Sequence, residues 1–214
     1  PDPTGEGLIE GFAEALAKTA RHLGAQTLIS CPAPAGFAEA REHGATMTLS
    51  AGDESYLAEN LVTGRVAENG QATGRVFAEA LFLMAGGQVE GRSVLVVGAG
   101  PVGRAAAARL LRHGARPVIL DKDPYLAGKA AAILSGVRAF SAKTGRVPED
   151  FRLIVEASTA SYLWAVDRFA PGTLIAAPGM PRAIPEAEHL KQWHDPLVTG
   201  TAMMIVEASI EPGT

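Results

Sequence analysis

A glycine-rich stretch near the middle of the chain has the spacing of a phosphate-binding turn. It lies between an apolar run at residues 94–97 and an alanine- and leucine-rich segment at residues 104–112, and it consists of Gly98, Ala99, Gly100, Pro101, Val102 and Gly103. Gly98 permits a tight turn, Gly100 lets the backbone approach a phosphate, and Gly103 lets a helix pack closely on a strand. The start of that helix offers unpaired N–H groups and a partial positive charge. The stretch predicts a turn that binds a dinucleotide pyrophosphate, the alternative being an ordinary α/β turn of similar composition.

An acidic residue follows at the distance expected for ribose binding. Residues 117–120 are predicted to form the next strand, and Asp121 ends it. In dinucleotide-binding folds, an acid about 20 residues beyond the glycines binds the ribose hydroxyls. The negative charge of Asp121 would repel a 2′-phosphate, so we expect NAD rather than NADP as the cofactor, although Lys122 beside it weakens that preference.

Two later segments are predicted to complete the cofactor site. Ala157 and Ser158 follow an apolar run at residues 153–155, while Pro178 and Gly179 follow a predicted strand. Ligands bind at the carboxyl edge of the strands in open α/β sheets. We therefore predict that these four residues contact the cofactor, with Ser158 near the nicotinamide ribose. The alternative for Ser158 is a cap for the next helix.

Acidic residues elsewhere are candidates for proton transfer. Asp53 follows a predicted strand, and Asp195 stands directly before a proline. A carboxylate can hold an ammonium group or accept a proton from it. We predict that Asp53 and Asp195 are catalytic, although Asp53 could instead cap a helix. His194 could also act as a base, but a lone histidine is more often structural.

The first residues of the sequence form another candidate site. Thr4, Gly5 and Glu6 precede a predicted helix at residues 8–23. Backbone N–H groups at such a turn can bind a carboxylate. Simple helix capping by Thr4 or Glu6 explains the same pattern.

Composition excludes several classes of protein. Of the 214 residues, 47% are hydrophobic and 20% are charged, which predicts a folded core rather than disorder. The net charge of −4 and the lack of a basic stripe argue against a nucleic-acid partner. The apolar runs are too short to span a membrane, and no signal-peptide pattern occurs. Cys31 is the one cysteine, so we expect it to be buried and unreactive in a cytoplasmic protein. The scattered histidines predict no metal site.

The first 72 residues are predicted to form a smaller α/β lobe that binds the substrate. Helices are expected at residues 8–23 and 37–43, and strands at residues 27–30 and 46–50. Because helices separate these strands, we expect a parallel sheet.

The rest of the chain is predicted to form a Rossmann-type domain, an α/β fold with a doubly wound parallel sheet. Residues 73–91 hold a connecting helix, expected at residues 74–85 with Thr73 as its N-cap, and a linker. The cofactor domain spans residues 92–200, and residues 201–214 form a helix that closes the cleft. Strands of that domain are expected at residues 94–97, 117–120, 137–140, 153–155 and 173–176.

The chain resembles the pyrrolysine biosynthesis protein D family in the order and spacing of several segments. They are Gly5-Glu6-Gly7-Leu8-Ile9, Asp53 with Tyr56-Leu57-Ala58-Glu59-Asn60, Val94-Leu95-Val96-Val97-Gly98 with Val102-Gly103, Glu156-Ala157, Pro178-Gly179-Met180-Pro181-Arg182-Ala183-Ile184, and Pro196-Leu197 with Gly200-Thr201-Ala202. The glycine turn is common to many dehydrogenases. The segment that ends at Asn60 and the one around Thr201 are more particular to this family, and we expect both residues to bind the substrate.

The resemblance implies an NAD-dependent dehydrogenase with two lobes. The implied substrate is 3-methyl-D-ornithine joined to the side-chain nitrogen of lysine. The family oxidises the terminal primary amine of the ornithine part. The α-amine of the substrate then captures the product, ammonia leaves, and the ring of pyrrolysine forms.

The sequence departs from the family pattern at several positions, so two other functions are kept as alternatives. The family often has serine and asparagine where this chain has Thr4 and Glu6, and glutamate where it has Asp195. One alternative is another NAD-dependent oxidoreductase that acts on an amine or amino acid. A second is an NAD-sensing module without turnover. A homodimer is the default expectation for the assembly.

Overall fold

The computed structural model describes residues 11–30, 35–52, 55–141, 151–161 and 163–210. The chain divides into two compact units. The smaller unit comprises Pro1–Ala72 with Leu197–Thr214, and the larger unit comprises Thr73–Pro196. Among the described residues, no helix combines the length and apolar character needed to cross a membrane.

Helices and strands alternate strictly only in the middle of the chain. The first six are α1 (Phe12–His22), α2 (Ala35–Glu42), β1 (Met47–Ala51), β2 (Tyr56–Asn60), β3 (Val66–Glu68) and α3 (Asn69–Met84). The next are β4 (Ser93–Val97), α4 (Pro101–Arg112), β5 (Arg116–Asp121), α5 (Pro124–Ile133), β6 (Arg138–Ser141), β7 (Leu153–Glu156), β8 (Leu174–Ala177) and β9 (Lys191–His194). A short 3-10 helix lies at Val166–Arg168 between β7 and β8, and α6 (Val198–Ser209) follows β9.

A six-stranded sheet organises the larger unit. Its order is β6-β5-β4-β7-β8-β9, and every pairing is parallel. This is the 3-2-1-4-5-6 order of a doubly wound dinucleotide-binding fold. The Rossmann-type prediction is therefore confirmed. Strands β4 and β7 lie at its centre, and their residues are almost wholly buried, as expected of strands covered on both faces.

The sixth strand was not predicted. The sequence of β9 is Lys191-Gln192-Trp193-His194, which lacks the continuous apolar run of the central strands. Strand β9 pairs with β8 at one edge of the sheet. An edge strand is half exposed, so its polar composition is compatible with pairing but gives no clear signal.

The helix α3 begins earlier than its predicted start at residue 74. Gly74 lies well inside it, so Thr73 is not its N-cap, and that prediction is wrong. A Cβ atom at Gly74 would lie 2.2 Å from the Val102 carbonyl oxygen. Gly74 therefore allows α3 to pack closely against α4, rather than marking the start of the helix.

The smaller unit differs from its predicted parallel arrangement. Its sheet has the order β1-β2-β3, and both pairings are antiparallel. Residues 27–30 form no strand, and Leu28 and Ile29 are half exposed. The expectation of a strand there was wrong because β propensity alone does not supply a neighbouring strand. The strands β2 and β3 instead form an antiparallel pair in a region where no strand was predicted.

Small side chains let α6 pack against the antiparallel sheet. Helix α6 contacts both β2 and β3. The buried cluster between them consists of Ala58, Ala67, Ala72, Met204 and Ala208. The helix begins at Val198, three residues before the predicted C-terminal helix at residues 201–214, and ends at Ser209.

Candidate functional site

The glycine turn after β4 leaves room for glycine alone at two of its positions. Gly98 has a φ of +100°, and a Cβ atom there would lie 2.6 Å from the Ala157 carbonyl oxygen. A Cβ atom at Gly103 would lie 1.9 Å from the Gly98 carbonyl oxygen. At Gly100, by contrast, a Cβ atom would meet nothing within 4 Å. The turn is thus packed tightly against main-chain atoms at two glycines and is open at the third, as a phosphate-binding turn requires.

Helix α4 begins directly after this open position. Gly100 is the N-cap, so no side chain caps the helix, and Pro101 occupies the first turn. Val102 and Gly103 follow it in the same turn. Arg104 donates from Nη1 to the Ala99 carbonyl oxygen at 2.7 Å and steadies the turn. Helix N-termini of this kind attract anions through their N–H groups and dipole.

Asp121 links the end of β5 to the glycine turn. Its Oδ2 atom accepts the Ala99 N–H at 2.6 Å, and its Oδ1 atom accepts the Asp123 N–H at 2.8 Å. Each carboxylate oxygen can accept a further hydrogen bond. The side chain is therefore held at the carboxyl edge of the sheet with acceptor capacity left for ribose hydroxyls.

The other predicted cofactor residues lie along the same edge of the larger unit. The Ala157 N–H donates to the Val97 carbonyl oxygen at 2.8 Å, so the loop after β7 adjoins the glycine turn. A Cβ atom at Gly179 would lie 2.4 Å from the Ser158 carbonyl oxygen, so the loop after β8, with Pro178, adjoins the loop after β7. The fold thus brings the predicted set together on β4, β5, β7 and β8, and their contact with a cofactor stays a prediction.

A buried carboxyl group at this edge was not identified as a candidate from the sequence. Glu156 ends β7 with 0% exposure. Its Oε1 atom accepts the Ser158 N–H at 2.9 Å and the Ser158 hydroxyl at 2.7 Å, and its Oε2 atom accepts the Ala183 N–H at 3.3 Å. Burial raises the pKa of the Glu156 carboxyl, and the hydrogen bonds from Ser158 and Ala183 and the charge of His194 offset part of that rise. The available signal was an acid that directly ends a fully apolar strand.

His194 and Asp195 lie at the end of β9. The His194 Nδ1 atom lies 2.6 Å from the Ala177 carbonyl oxygen on the neighbouring strand, which fits a hydrogen bond donated by Nδ1–H. This contact gives His194 a structural role within the sheet. Asp195 follows directly and is partly buried at the same carboxyl edge.

In the smaller unit, Thr201 and Tyr56 form a partly buried polar contact. The Tyr56 hydroxyl and the Thr201 hydroxyl are 2.6 Å apart, and the Thr201 hydroxyl also donates to the Leu197 carbonyl oxygen at 2.8 Å. Burial raises the pKa of the Tyr56 hydroxyl to about 12, against the lowering effect of its bond with Thr201. The Phe12 ring packs edge-on against the Tyr56 ring, with centroids 5.8 Å apart.

Asn60 is hydrogen-bonded within the smaller unit. Its Nδ2 atom donates to the Ala208 carbonyl oxygen at 3.1 Å, and its Oδ1 atom accepts the N–H groups of Val62 and Thr63 at 3.0 Å each. Asn60 therefore ties β2 to α6 and caps the following turn. Its contact with substrate, like that of Thr201, stays a prediction.

Several predicted residues lie outside the described part of the chain. They are the substrate candidates Thr4, Gly5 and Glu6, the catalytic candidate Asp53, and Cys31. Within the ranges that the structure describes, no group of three His, Cys, Asp or Glu side chains could hold a metal ion.

The sheet order and glycine turn define the class of protein. Residues 96–151 match the family described as NAD(P)-binding Rossmann-like domain. Among solved structures, the chain is similar to shikimate dehydrogenase from Aquifex aeolicus, with a TM-score of 0.64, 14% identity, and coverage of 92% of this chain and 86% of that one. It is also similar to quinate dehydrogenase from Corynebacterium glutamicum in complex with NAD, with a TM-score of 0.59, 17% identity, and coverage of 94% and 86%. These likenesses concern the fold, and the fold is that of NAD(P)-binding dehydrogenases.

Sequence relatives narrow this class to one family. Residues 1–67 match the family described as pyrrolysine biosynthesis protein PylD, N-terminal domain. Pyrrolysine synthase from Methanosarcina acetivorans is 30% identical over 210 residues, which are 96% of this chain and 79% of that protein. Pyrrolysine synthase from Methanosarcina barkeri is 30% identical over 214 residues, with coverage of 96% and 78%. The chain belongs to the pyrrolysine synthase family, which confirms the resemblance seen in the sequence.

Proposed function

We propose that this protein is an NAD-dependent dehydrogenase that converts 3-methyl-D-ornithyl-N6-L-lysine into pyrrolysine. The observation that carries the proposal is the 30% identity with pyrrolysine synthase along nearly the whole chain. The arrangement of glycines and Asp121 at the edge of the sheet supports the cofactor part of the proposal.

The reaction is the oxidation of a primary amine followed by ring closure. The C–H bond next to the terminal nitrogen breaks, and bound NAD+ supplies the acceptor for the hydride. The nitrogen loses a proton and the carbon becomes an iminium group. The substrate's own α-amine adds to this carbon, ammonia leaves, and a cyclic imine results. One substrate molecule thus gives one pyrrolysine, one NADH and one ammonia.

The protein must deprotonate and align the amine before hydride leaves. An alkylamine has a pKa of roughly 10, so it is mostly protonated near neutral pH. We assign Asp195 and Asp53 to hold the ammonium group and to assist the loss of its proton, with Glu6 as a further candidate. The position of Asp195 at the carboxyl edge of β9 supports its assignment.

The smaller unit is proposed to bind the substrate. The residues assigned to it are Thr4, Gly5, Glu6, Asn60 and Thr201. Once the α-amine is held close to the new iminium carbon, ring closure needs no further catalyst, because proximity supplies a high effective concentration. The protein therefore contributes oxidation, alignment and exclusion of water.

NAD is the proposed cofactor rather than NADP. Both carboxylate oxygens of Asp121 are held by backbone N–H groups beside the glycine turn, so a negative charge is fixed there. We expect kcat/KM with NAD+ to exceed that with NADP+ by at least about tenfold, which corresponds to about 1.4 kcal/mol. Replacing Asp121 with alanine should narrow that ratio.

Turnover with the proposed substrate tests the function. Purified protein, NAD+ and 3-methyl-D-ornithyl-N6-L-lysine should give NADH absorbance, ammonia and pyrrolysine in equal amounts. A panel of simple amines and amino acids serves for comparison. NADH from another amine, with none from the ornithyl-lysine compound, would indicate a different oxidoreductase. Tight NAD binding without turnover of any amine would indicate a sensing module.

A variant at Asp195 tests the proposed chemistry. Asp195→Asn should lower kcat/KM by at least about tenfold, the low end of losses for a proton-transfer or positioning group. Asp167→Asn is the matched control, because Asp167 is an exposed aspartate of the same unit. Unchanged turnover in Asp195→Asn would remove this residue from the mechanism.

A homodimer is the proposed assembly. Two-fold symmetric pairs are the commonest arrangement of homo-oligomers. Size-exclusion chromatography with light scattering should give twice the mass of one chain, and the mass of a single chain would contradict the proposal.

A further inference from the structure

Glu156 stands out among the ionisable residues of the chain. Within the described ranges it is the only acidic or basic residue that the fold buries completely. The three residues before it in β7 are apolar and equally buried. A fourth apolar residue would continue the strand at no desolvation cost, whereas a buried carboxyl group is costly unless its oxygens are paired.

The Glu156 carboxyl group joins two loops that are distant in sequence. One oxygen accepts two hydrogen bonds from Ser158 in the loop after β7, and the other accepts the Ala183 N–H in the loop after β8. The main chain adds a third link, because the Gly179 N–H donates to the Glu156 carbonyl oxygen at 3.2 Å. We call this set of contacts the Glu156 clamp.

The surroundings of Gly179 show how close the two loops lie to each other. A Cβ atom at this position would lie 2.4 Å from the Ser158 carbonyl oxygen and 2.9 Å from the Glu156 Oε2 atom. No side chain can enter that space without moving one of the loops. The clamp therefore fixes one arrangement of both loops.

The clamped loops lie on one side of the pyrophosphate-binding turn. Asp121 ends β5, which pairs with β4 on one side, whereas β7 pairs with β4 on the other side and β8 follows it. A dinucleotide bound across the centre of such a sheet places one nucleoside on each side. Because Asp121 marks the adenosine side, the clamped loops belong to the nicotinamide side.

The hydrogen-bond donors of both loops account for a carboxyl group at this position. An apolar residue in place of Glu156 would leave the N–H groups of Ser158 and Ala183 without their acceptor, which costs free energy where those groups are buried. A glutamine would keep the size of Glu156 but offer one acceptor oxygen in place of two. Its amide NH₂ group would then face an N–H group of either Ser158 or Ala183. Only a carboxyl group satisfies donors from both loops.

We propose that Glu156 is a positioning residue, whose clamp shapes the loops after β7 and β8 to seat the nicotinamide half of the cofactor for hydride transfer. The proposal rests on the proposed function as an NAD-dependent dehydrogenase. Glu156 acts through Ser158, Gly179 and Ala183 and does not itself touch the reacting atoms. Small displacements of a cofactor are costly, since a misplacement of about 1 Å can lower a rate about 100-fold.

Binding of ADP-ribose and NADH to Glu156→Gln separates this role from a general structural one. ADP-ribose lacks the nicotinamide ring but keeps both phosphates and the adenosine. In the full-length variant we expect kcat to fall at least about tenfold and the Kd of NADH to rise at least about fivefold, a loss comparable to one hydrogen bond. The Kd of ADP-ribose should stay within about twofold of the wild-type value, since its contacts lie elsewhere. Glu186→Gln is the matched control, because the Glu186 side chain is 78% exposed.

A second variant tests the clamp without altering the carboxyl group. Gly179→Ala should push the two loops apart and give the same pattern, with lower kcat, weaker NADH binding and unchanged ADP-ribose binding. This variant keeps the experiment decisive if Glu156→Gln does not fold, which thermal unfolding would reveal. Wild-type kcat and NADH affinity in folded Glu156→Gln or in Gly179→Ala would overturn the proposal. Equal weakening of NADH and ADP-ribose would overturn it too, because the whole cofactor site would then have changed.

The same measurements keep this proposal distinct from the proposed function. If the wild-type protein binds NADH and ADP-ribose but oxidises no amine, the proposed function fails. Selective loss of NADH binding in the variants would still support the clamp. If the wild-type protein turns over and the variants match it, the function stands and the clamp is wrong.

Discussion

The two units of this protein hold their backbones in place by different means. In the larger unit, the core combines Leu, Val, Ile and Phe side chains with alanines, and glycines after the strands let main-chain segments touch. In the smaller unit, the cluster beneath α6 is mostly alanine, and side-chain hydrogen bonds from Tyr56 and Asn60 tie the sheet to the C-terminal segment. The difference indicates that a substitution at a close-packed glycine of the larger unit displaces main-chain segments. A substitution at Tyr56 or Asn60 in the smaller unit removes only side-chain contacts.

This contrast fits the separate tasks proposed for the units. A cofactor is the same molecule in every enzyme that uses it, so a binding site formed by rigid main chain suits it. A substrate differs between enzymes, and side-chain contacts are easier to exchange than backbone ones. Substitutions in each unit therefore test whether the two units differ in this way.

Gly103→Ala should have the largest effect. Its Cβ atom would lie 1.9 Å from the Gly98 carbonyl oxygen, a backbone atom that cannot move without opening the glycine turn. We expect the free energy of unfolding to fall by about 3 kcal/mol or more, within the range of severe single substitutions. Urea unfolding measures the loss. Gly128→Ala is the control, because a Cβ atom there meets nothing within 4 Å in α5, and it should stabilise the helix by roughly 0.5–1 kcal/mol. Equal stability of Gly103→Ala and the wild type would refute the rigid-turn account.

Gly100→Ala should affect cofactor binding but not stability. A methyl group at Gly100 has space in the protein itself, yet it would occupy the open position facing the start of α4. The Kd of NAD+ should rise at least about tenfold, equivalent to about 1.4 kcal/mol, while the unfolding midpoint stays near the wild-type value. Calorimetric titration with NAD+ measures this. Wild-type affinity in the variant would show that the pyrophosphate lies elsewhere.

Asn60→Ala tests the side-chain ties of the smaller unit. The change removes the hydrogen bond to Ala208 and the two bonds that cap the turn at Val62 and Thr63. We expect the free energy of unfolding to fall by about 1–2 kcal/mol. Asn60→Asp keeps the acceptor oxygen for the turn and loses only the donor, so urea unfolding should find a smaller loss. A greater loss in the aspartate variant would contradict this assignment of roles.

Tyr56→Phe should have the smallest effect at neutral pH and a distinctive dependence on pH. Losing the bond to Thr201 should lower the free energy of unfolding by about 1 kcal/mol at pH 7. The pKa of Tyr56 is about 12 in the folded protein, against 10.0 as its ordinary value. The folded state therefore keeps this proton more tightly, and the resulting stability is complete below pH 10 and is lost as the pH rises towards 12. The wild type should lose its advantage over Tyr56→Phe across that range. A constant difference in urea unfolding from pH 7 to pH 11.5 would rule out this titration.

The sequence predicted the larger unit well because its signals are local. The central strands are continuous apolar runs, and the glycine turn and Asp121 follow them directly. The Asp123 side chain accepts the Tyr125 N–H and caps α5 directly before Pro124, which is a local signal of the same kind. These features depend on residues that are close in the chain, so single segments are sufficient to recognise them.

The smaller unit was predicted less well because its strands are short and half exposed. Strands β1 and β2 have five residues each and β3 has three, with few fully buried positions. Their alternation is weak, and pairing in a sheet depends on neighbours that the local pattern does not reveal. The helix–strand order of the first 50 residues therefore suggested parallel pairing where the chain forms an antiparallel sheet.

Prediction of the candidate site from the sequence was limited in the same way. The glycines and Asp121 follow a known spacing, so their grouping could be predicted. The Glu156 clamp joins Glu156 to Ala183, 27 residues further on. Which donors a buried acid meets depends on how the loops after β7 and β8 lie in space. Sequence spacing did not predict that arrangement.

Transfer of deuterium from the substrate to the cofactor would show whether the protein oxidises this amine by removing a hydride. The substrate would carry two deuterium atoms on the carbon that bears the terminal amine, and mass spectrometry would follow the label. We expect one deuterium in the reduced cofactor and one retained in the ring of each pyrrolysine formed. Reduced cofactor without deuterium, or no reduced cofactor while the protein is folded and binds NAD+, would contradict it.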